Sequence, residues 1–217
     1  MASKKLTILV SSTVYGIEEL LERIYSLLTE FGYEVWMSHK GTLPVFSSRS
    51  AFDNCLAGVE KCDLFLGLIT PHYGSGKVED GLSITHQELR RAVELNKPRW
   101  LLAHDHVVFA RSFLAYLRVA GTEDWFAGAK GRQLLQLKKN PILDDLRVID
   151  MYEEAARSDV ALHERQGNWV QKFINDEEAA LFASAQFFRY QEVEQFLCEN
   201  FADAASVKNR VKKGGKS

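Results

Sequence analysis

Glu88 is the residue whose type and position ask most plainly for a chemical reason. It stands one turn from Ile84 and one turn from Ala92, beside Leu89, so on a helix it shares the face that packs inward. A carboxylate on that face must be paired or put to use. One use is structural: Thr85-His86-Gln87-Glu88 has the spacing of a capping box, in which the glutamate reaches back to the amide of the cap residue. The other is chemical, a carboxyl group aimed at a bound ligand. Two further stretches bring hydroxyls, backbone donors and aromatic rings together, Ser11-Ser12-Thr13-Val14-Tyr15 and Thr70-Pro71-His72-Tyr73-Gly74-Ser75. Both have the makings of a cradle for ribose or phosphate. Both also have a structural use, the hydroxyls as caps of the following helix and the tyrosine as anchor of a tight turn.

Other constellations fall away on their chemistry. Gly74-Ser75-Gly76-Lys77 lacks the earlier glycine and the following hydroxyl of a phosphate loop, since Val78 stands there, which argues against nucleoside triphosphate hydrolysis. His104-Asp105-His106 puts two imidazoles on one side of an extended segment, but no third ligand is identifiable and no metal is expected. Cys55, Cys62 and Cys198 are odd in number and lack zinc-ligand spacing. Cys55 and Cys62 sit at helical positions among apolar neighbours and read as buried structural thiols rather than nucleophiles.

The elements that must position these residues follow from apolar periodicity. Leu6 to Val10 is a short apolar run, and Ile17 to Phe31 carries Leu20, Leu21, Ile24, Leu27 and Leu28 at helical spacing, which predicts strand, loop, helix. Gly32 ends that helix, and Tyr33 to Met37 alternates as a strand at a sheet edge. A Ser-rich loop from Ser38 to Ser50 leads to a helix over Phe52 to Val59. Leu64 to Ile69 is almost unbroken in apolar side chains, the character of a central strand covered on both faces. Thr70 to Ser83 is loop, Ile84 to Leu95 helix up to the break at Asn96-Lys97-Pro98, and Arg99 to Ala103 strand. The repeated rhythm implies an α/β fold, a doubly wound and mainly parallel five-stranded sheet with right-handed crossovers.

Beyond Ala103 the reading expects a helix over Phe109 to Val119, a loop with exposed Trp125 and Phe126, and a fifth strand over Leu146 to Tyr152. Asn175 with Glu178 marks the capped start of a long final helix through Phe201. Its stripe of Leu181, Ala185, Phe188, Val193, Phe196 and Leu197 is expected to pack on the sheet or on a second protomer. The chain thus divides into an α/β domain over 1–152, a helical extension over 153–205 and a basic flexible tail over 206–217. For a strand order of 2-1-3-4-5, ligands bind beyond the carboxyl ends of strands one and three. The two hydroxyl-rich loops meet there, and a helix opening beside the second would aim Glu88 into the same crevice.

Composition narrows the partners. With 217 residues, 46% hydrophobic and 26% charged, the chain can bury a sizeable core. A net charge of -2 supplies no general field toward nucleic acid or anionic lipid, so neither is expected as a partner. The longest apolar run, Leu64 to Ile69, is too short to cross a bilayer. Met1 to Lys5 leads directly into a strand-like run without a secretory leader, which together with reduced thiols gives a cytoplasmic expectation.

Taken in order, Ile8-Leu9-Val10-Ser11-Ser12-Thr13, Cys62-Asp63-Leu64-Phe65, Tyr73-Gly74-Ser75, Ser83-Ile84-Thr85-His86-Gln87-Glu88-Leu89 and Asn96-Lys97-Pro98 form a pattern. It resembles the TIR-like family of unknown function whose domains open on a VSST motif, over approximately Leu6 to Ala103. The resemblance implies a flavodoxin-like sheet related to TIR domains and to nucleoside deoxyribosyltransferases, groups whose enzymes break N-glycosidic bonds. It places Glu88 where TIR domains carry their catalytic glutamate, with Thr85 where many of them have a cysteine. It further implies NAD as substrate rather than cofactor: departure of nicotinamide gives the ribosyl carbon oxocarbenium character, which a nearby carboxylate stabilises without a metal. In that scheme Ser11, Ser12 and Thr13 with nearby amides hold ribose or phosphate, Tyr15 or Tyr73 stacks on a base, and Gly74 and Ser75 complete the loop. The product, ADP-ribose or a cyclised isomer or conjugate, would be a nucleotide signal for a separate effector in antiphage defence. Two alternatives stand beside it: a non-catalytic module that assembles with copies of itself, and a nucleoside deoxyribosyltransferase or hydrolase.

Overall fold

The computed structural model describes residues 5–74, 81–118, 125–135, 137–138, 140, 142–157, 159–165 and 170–190. Ser75, Cys198, the expected continuation of the last helix and the basic tail lie outside the described residues. The order is β1 (Thr7–Ser12), α1 (Glu18–Glu30), β2 (Glu34–Trp36), α2 (Ala51–Lys61), β3 (Leu64–Ile69), α3 (Ile84–Glu94), β4 (Arg99–His104), α4 (Asp105–Leu114), the short α5 (Ala129–Arg132), α6 (Arg147–Ala156), a 3₁₀ turn (Leu162–Glu164), β5 (Gln171–Phe173) and α7 (Asp176–Phe187). The five strands form one parallel sheet in the order β2-β1-β3-β4-β5, a doubly wound α/β fold.

Alternation along the strands sorts the core into two layers. Ile8, Val10, Leu64, Leu66 and Leu68 face α1 and α7, where they meet Leu20, Leu21, Ile24, Ala179, Ala183 and Phe187. Leu9, Phe65, Ile69 and Leu101 face the other way, toward Val59 of α2, Leu89 and Ala92 of α3, and Val148 and Ile149 of α6. Every residue of β3 is buried, as its unbroken apolar run predicts. Ser11 follows Leu9 on the α2 and α3 side and is 3% exposed, so its hydroxyl must find a partner within that layer.

The carboxy-terminal part departs from expectation at three points. Leu146 to Tyr152 is helical, not a strand: Val148, Ile149, Met151 and Ala155 form the buried face of α6, a spacing that emerges only when the window runs on through Glu153-Glu154-Ala155-Ala156. The fifth strand is Gln171–Phe173, within the stretch expected to be a helical extension; two of its three residues are exposed, so no apolar run marks it. In α7, Asn175 caps the helix by accepting from the Glu178 amide at 2.9 Å, as the sequence indicates. Its buried face, however, is Ala179, Ala180, Ala183 and Phe187, while Leu181 and Phe188 are exposed. Small alanines let α7 lie close on α1, and the larger side chains turn outward.

Two smaller corrections concern the middle of the chain. Helix α4 begins directly after β4, so Asp105 and His106 occupy its first turn rather than an extended segment, and His104 caps it by accepting the His106 amide at 3.2 Å. Trp125 is half exposed, but Phe126 packs against the core. No helix among the described residues is long and apolar enough to cross a membrane.

Candidate functional site

The sequence of connections reverses between β1 and β3, and there the carboxyl ends of both strands open on a crevice of about 860 Å³. Ser12, Thr13, Val14 and Tyr15 line it from the loop after β1, and His72 and Gly74 from the loop after β3. Ile84 and Thr85 contribute from the first turn of α3, and Asn140 and Asp144 from the segment before α6. Tyr15 is exposed, with its ring edge-on to His72 at 5.1 Å between centroids. Gly74 has φ +88°, and a Cβ there would lie 2.9 Å from Thr13 Oγ1, so the two loops touch only because this position carries no side chain.

Glu88 does not cap its own helix. Ser83 does, accepting from the His86 amide at 3.3 Å. This frees the Glu88 side chain to turn inward, where it is 6% exposed and accepts a 2.5 Å hydrogen bond from Ser11 Oγ. The thiol of Cys55, from α2, is its second donor. Burial pushes the Glu88 carboxyl up to about 7, against the lowering effect of the bonds from Ser11 and Cys55. Burial also pushes the Cys55 thiol up, to about 12, helped by the neighbouring Glu88 charge. Ser11 and Glu88 therefore form a buried pair with the half-buried Cys55 beside them, and Ser12 and Thr85, neighbours of Ser11 and Glu88, stand on the crevice wall.

Tyr73 takes a different place from the one expected for a base-stacking ring. It is 2% exposed, with its hydroxyl 2.8 Å from His86 Nδ1 and the Arg147 guanidinium 4.4 Å from the ring centroid. His86 Nε2 in turn lies 3.1 Å from Glu154 Oε2, and Arg90 grips Glu154 through two bonds of 2.7 and 2.6 Å. Burial alone would raise the Glu154 carboxyl, but the bonds from Arg90 and His86 outweigh it and hold it at about 2. This chain ties the loop after β3 to α3 and α6. The exposed ring at the crevice is that of Tyr15.

Two further polar clusters lie elsewhere. A depression of about 480 Å³ between α3 and α6 is lined by charges that pair among themselves, Arg132 with Asp150 and Glu153 and Arg90 with Glu154. His104, Asp105 and His106 each offer a ligand atom within 4.8 Å of the others, although His104 Nδ1 is already used as the helix cap.

The site residues named from sequence thus fall into two layers, Ser12, Thr13, Tyr15 and Gly74 on the crevice and Ser11, Tyr73 and Glu88 behind it. Cys55, His72, His86, Asp144 and Glu154 were not singled out as site residues by sequence. His72 had the signal of standing between Thr70 and Tyr73 in a hydroxyl-rich loop; Asp144 had none, since its partners are residues 71 and 72 positions away.

Fold and crevice define a doubly wound α/β domain with an open crevice at its topological switch. Residues 7–113 match the family model described as a domain of unknown function, DUF4062. Comparison with characterised proteins by sequence finds no match. Among solved structures, a 2-deoxyribosyltransferase from the psychrotolerant bacterium Bacillus psychrosaccharolyticus is similar, with 24% identity over 45% of this chain and 72% of that one and a TM-score of 0.33. A likeness of that extent carries no statement about activity.

Proposed function

We propose that the crevice binds a nucleotide and that Glu88 acts on its N-glycosidic bond, with NAD as substrate and nicotinamide as leaving group. The observation that carries this reading is the surroundings of Glu88: a buried carboxyl whose hydrogen-bond donors, Ser11 and Cys55, are both neutral. Such a group gains most from a ligand that brings positive charge. A pyridinium-linked ribose does so in the ground state, and the oxocarbenium-like ribosyl carbon does so at the transition state. Rotation of the Ser11 side chain away from Glu88 opens the carboxylate to the ribose, while Ser12, Thr13 and the amides of their loop hold the sugar and phosphate and Tyr15 offers its ring to a base. Release of an ADP-ribose-derived nucleotide to a separate effector, as in antiphage defence, is the biological role consistent with that chemistry.

A second reading rests on the raised Glu88 titration. The carboxyl thus keeps its proton closer to neutral pH than an ordinary glutamate does, which suits donation of a proton to a neutral purine or pyrimidine leaving group in a nucleoside transferase or hydrolase. The test is chromatographic and mass-spectrometric product analysis of the purified protein with NAD and, separately, with nucleosides, alongside Glu88→Gln checked for native folding by circular dichroism. Nicotinamide released by the wild type and not by the variant supports the first reading. Free base from nucleosides with NAD intact moves the assignment to the second. Turnover of neither, at high protein concentration, sinks both and leaves a non-catalytic module.

A further inference from the structure

His72 and Asp144 form a second polar pair on the crevice, in a geometry that fits a proton acceptor. His72 Nδ1 lies 3.2 Å from Asp144 Oδ2. Asp144 is itself fixed, because its other oxygen accepts from the Tyr73 amide at 2.8 Å and its own amide donates to the Pro71 carbonyl at 3.2 Å. The His72 backbone is held as well: Thr70 Oγ1 accepts from its amide at 3.2 Å and donates to its carbonyl at 3.1 Å. With Nδ1–H given to a carboxylate, the neutral imidazole keeps its lone pair on Nε2. Among the described residues nothing hydrogen-bonds that nitrogen. A Cβ on Gly16 would sit 3.7 Å from Nε2, so this glycine places no side chain of its own against that nitrogen. Both His72 and Asp144 line the crevice, next to Ser12, Thr13 and Tyr15.

We propose that His72, oriented by Asp144, is the catalytic base that deprotonates the acceptor hydroxyl, water or an alcohol, as it attacks the ribosyl carbon. The inference rests on the N-glycosidic reading above. In the step, the C1′–N bond breaks and its electron pair stays on the departing nicotinamide nitrogen. A lone pair of the acceptor oxygen forms the new C1′–O bond, and the acceptor proton passes to His72 Nε2 and then to solvent. One NAD and one acceptor thus give one nicotinamide, one ADP-ribosyl product and one proton. Glu88 stabilises the cation on one side while His72 serves the incoming oxygen, and the part given to His72 is the same whether Glu88 stabilises the cation or protonates the leaving base.

The discriminating experiment measures turnover of NAD by wild type, His72→Ala and Asp144→Asn, each with and without azide, a nucleophile that carries no proton to remove. His72→Ala is expected to lower water-dependent kcat by about 10²- to 10⁴-fold with KM little changed. Azide should restore its turnover and yield the ribosyl azide. Asp144→Asn keeps an acceptor oxygen for the Tyr73 amide, so it covers the case in which His72→Ala fails to fold; it should also lose kcat and be relieved by azide. Full activity in both variants, or a loss that azide leaves in place, overturns the assignment to His72 while leaving Glu88 standing. Release of neither nicotinamide from NAD nor free base from nucleosides by the wild type overturns the N-glycosidic reading and this one with it.

Discussion

Ionising a carboxyl group away from water costs free energy unless something charged or several donors compensate, and Glu88 has only a hydroxyl and a thiol to do so. Its carboxyl therefore titrates near 7 in the folded protein, above its ordinary 4.5. The native state holds a proton that the unfolded chain gives up between these values. Stability contributed by the neutral form is thus fully present below pH 4.5 and is lost as pH rises through 7, by on the order of 3 kcal/mol in all. Glu88→Gln is neutral throughout and lacks this dependence. Urea unfolding of both proteins at pH 4.5, 6 and 8 should show the wild type weakening against the variant across that range; parallel profiles would mean that Glu88 is solvated after all. The same burial governs Cys55. With its thiol pushed up to about 12, it should resist iodoacetamide at pH 8 in the native protein and react once urea is added, as followed by peptide mass spectrometry. Rapid native labelling of Cys55 would contradict its place beside the Glu88 carboxyl. Glu88 and Ser11 were visible in the sequence because a carboxylate on an inward helix face and a serine continuing an apolar strand are each out of place alone. Cys55 was not, since a cysteine among apolar residues looks complete without a partner.

Helix α3, which presents Glu88, has its start fixed from several sides. Ser83 caps it, Tyr73 bonds to His86 in its first turn, and Glu154 of α6 receives both His86 and Arg90. Replacing Ser83 by alanine removes the cap and should cost about 1 kcal/mol, read as a lowered urea midpoint. Because the cap sets where Glu88 points, the variant should also bind nucleotide more weakly than its lost stability alone explains, which isothermal titration with ADP-ribose would measure. Unchanged affinity would show that Glu88 is positioned by Ser11 and Cys55 and not by the helix start. The strands and helices through β4 were readable since each buries a long apolar run or a full helical face. The capping box assigned to Thr85 and Glu88 failed by two residues, and the spacing of Ser83 to His86 was the one that folding used. Strand β5 and helix α6 escaped for opposite reasons. β5 is too short and exposed to carry a pattern, and the first turns of α6 contain enough branched side chains to pass for a strand until its acidic second half is included.

At the scale of the molecule, the matched segment 7–113 is not the whole folding unit. Strand β5 pairs with β4, and α7 lies on α1, so that Phe173 and Phe187 are each 1% exposed in the same apolar layer as Ile8 and Leu66. Phe187 meets the Trp100 ring at 4.8 Å and the Tyr33 ring at 5.9 Å, and its carbonyl accepts from the Tyr33 hydroxyl at 2.9 Å. Removing such a ring costs about 3–5 kcal/mol, a large share of the roughly 5–15 kcal/mol that holds a domain of this size together. Phe187→Ala should accordingly lower one cooperative unfolding transition in which far-ultraviolet circular dichroism and tryptophan fluorescence move together, because Trp36 and Trp100 report on opposite faces of the one sheet. An appendage docked on a finished domain would behave differently: the mutation would split off an early helical transition while the tryptophan signal kept the wild-type midpoint. The same experiment bears on the crevice, whose wall includes Asn140 and Asp144 from the part of the chain beyond the matched segment. If the two transitions coincide, the His72 and Asp144 pair is assembled only by a fully folded chain, and any activity should vanish at the single midpoint.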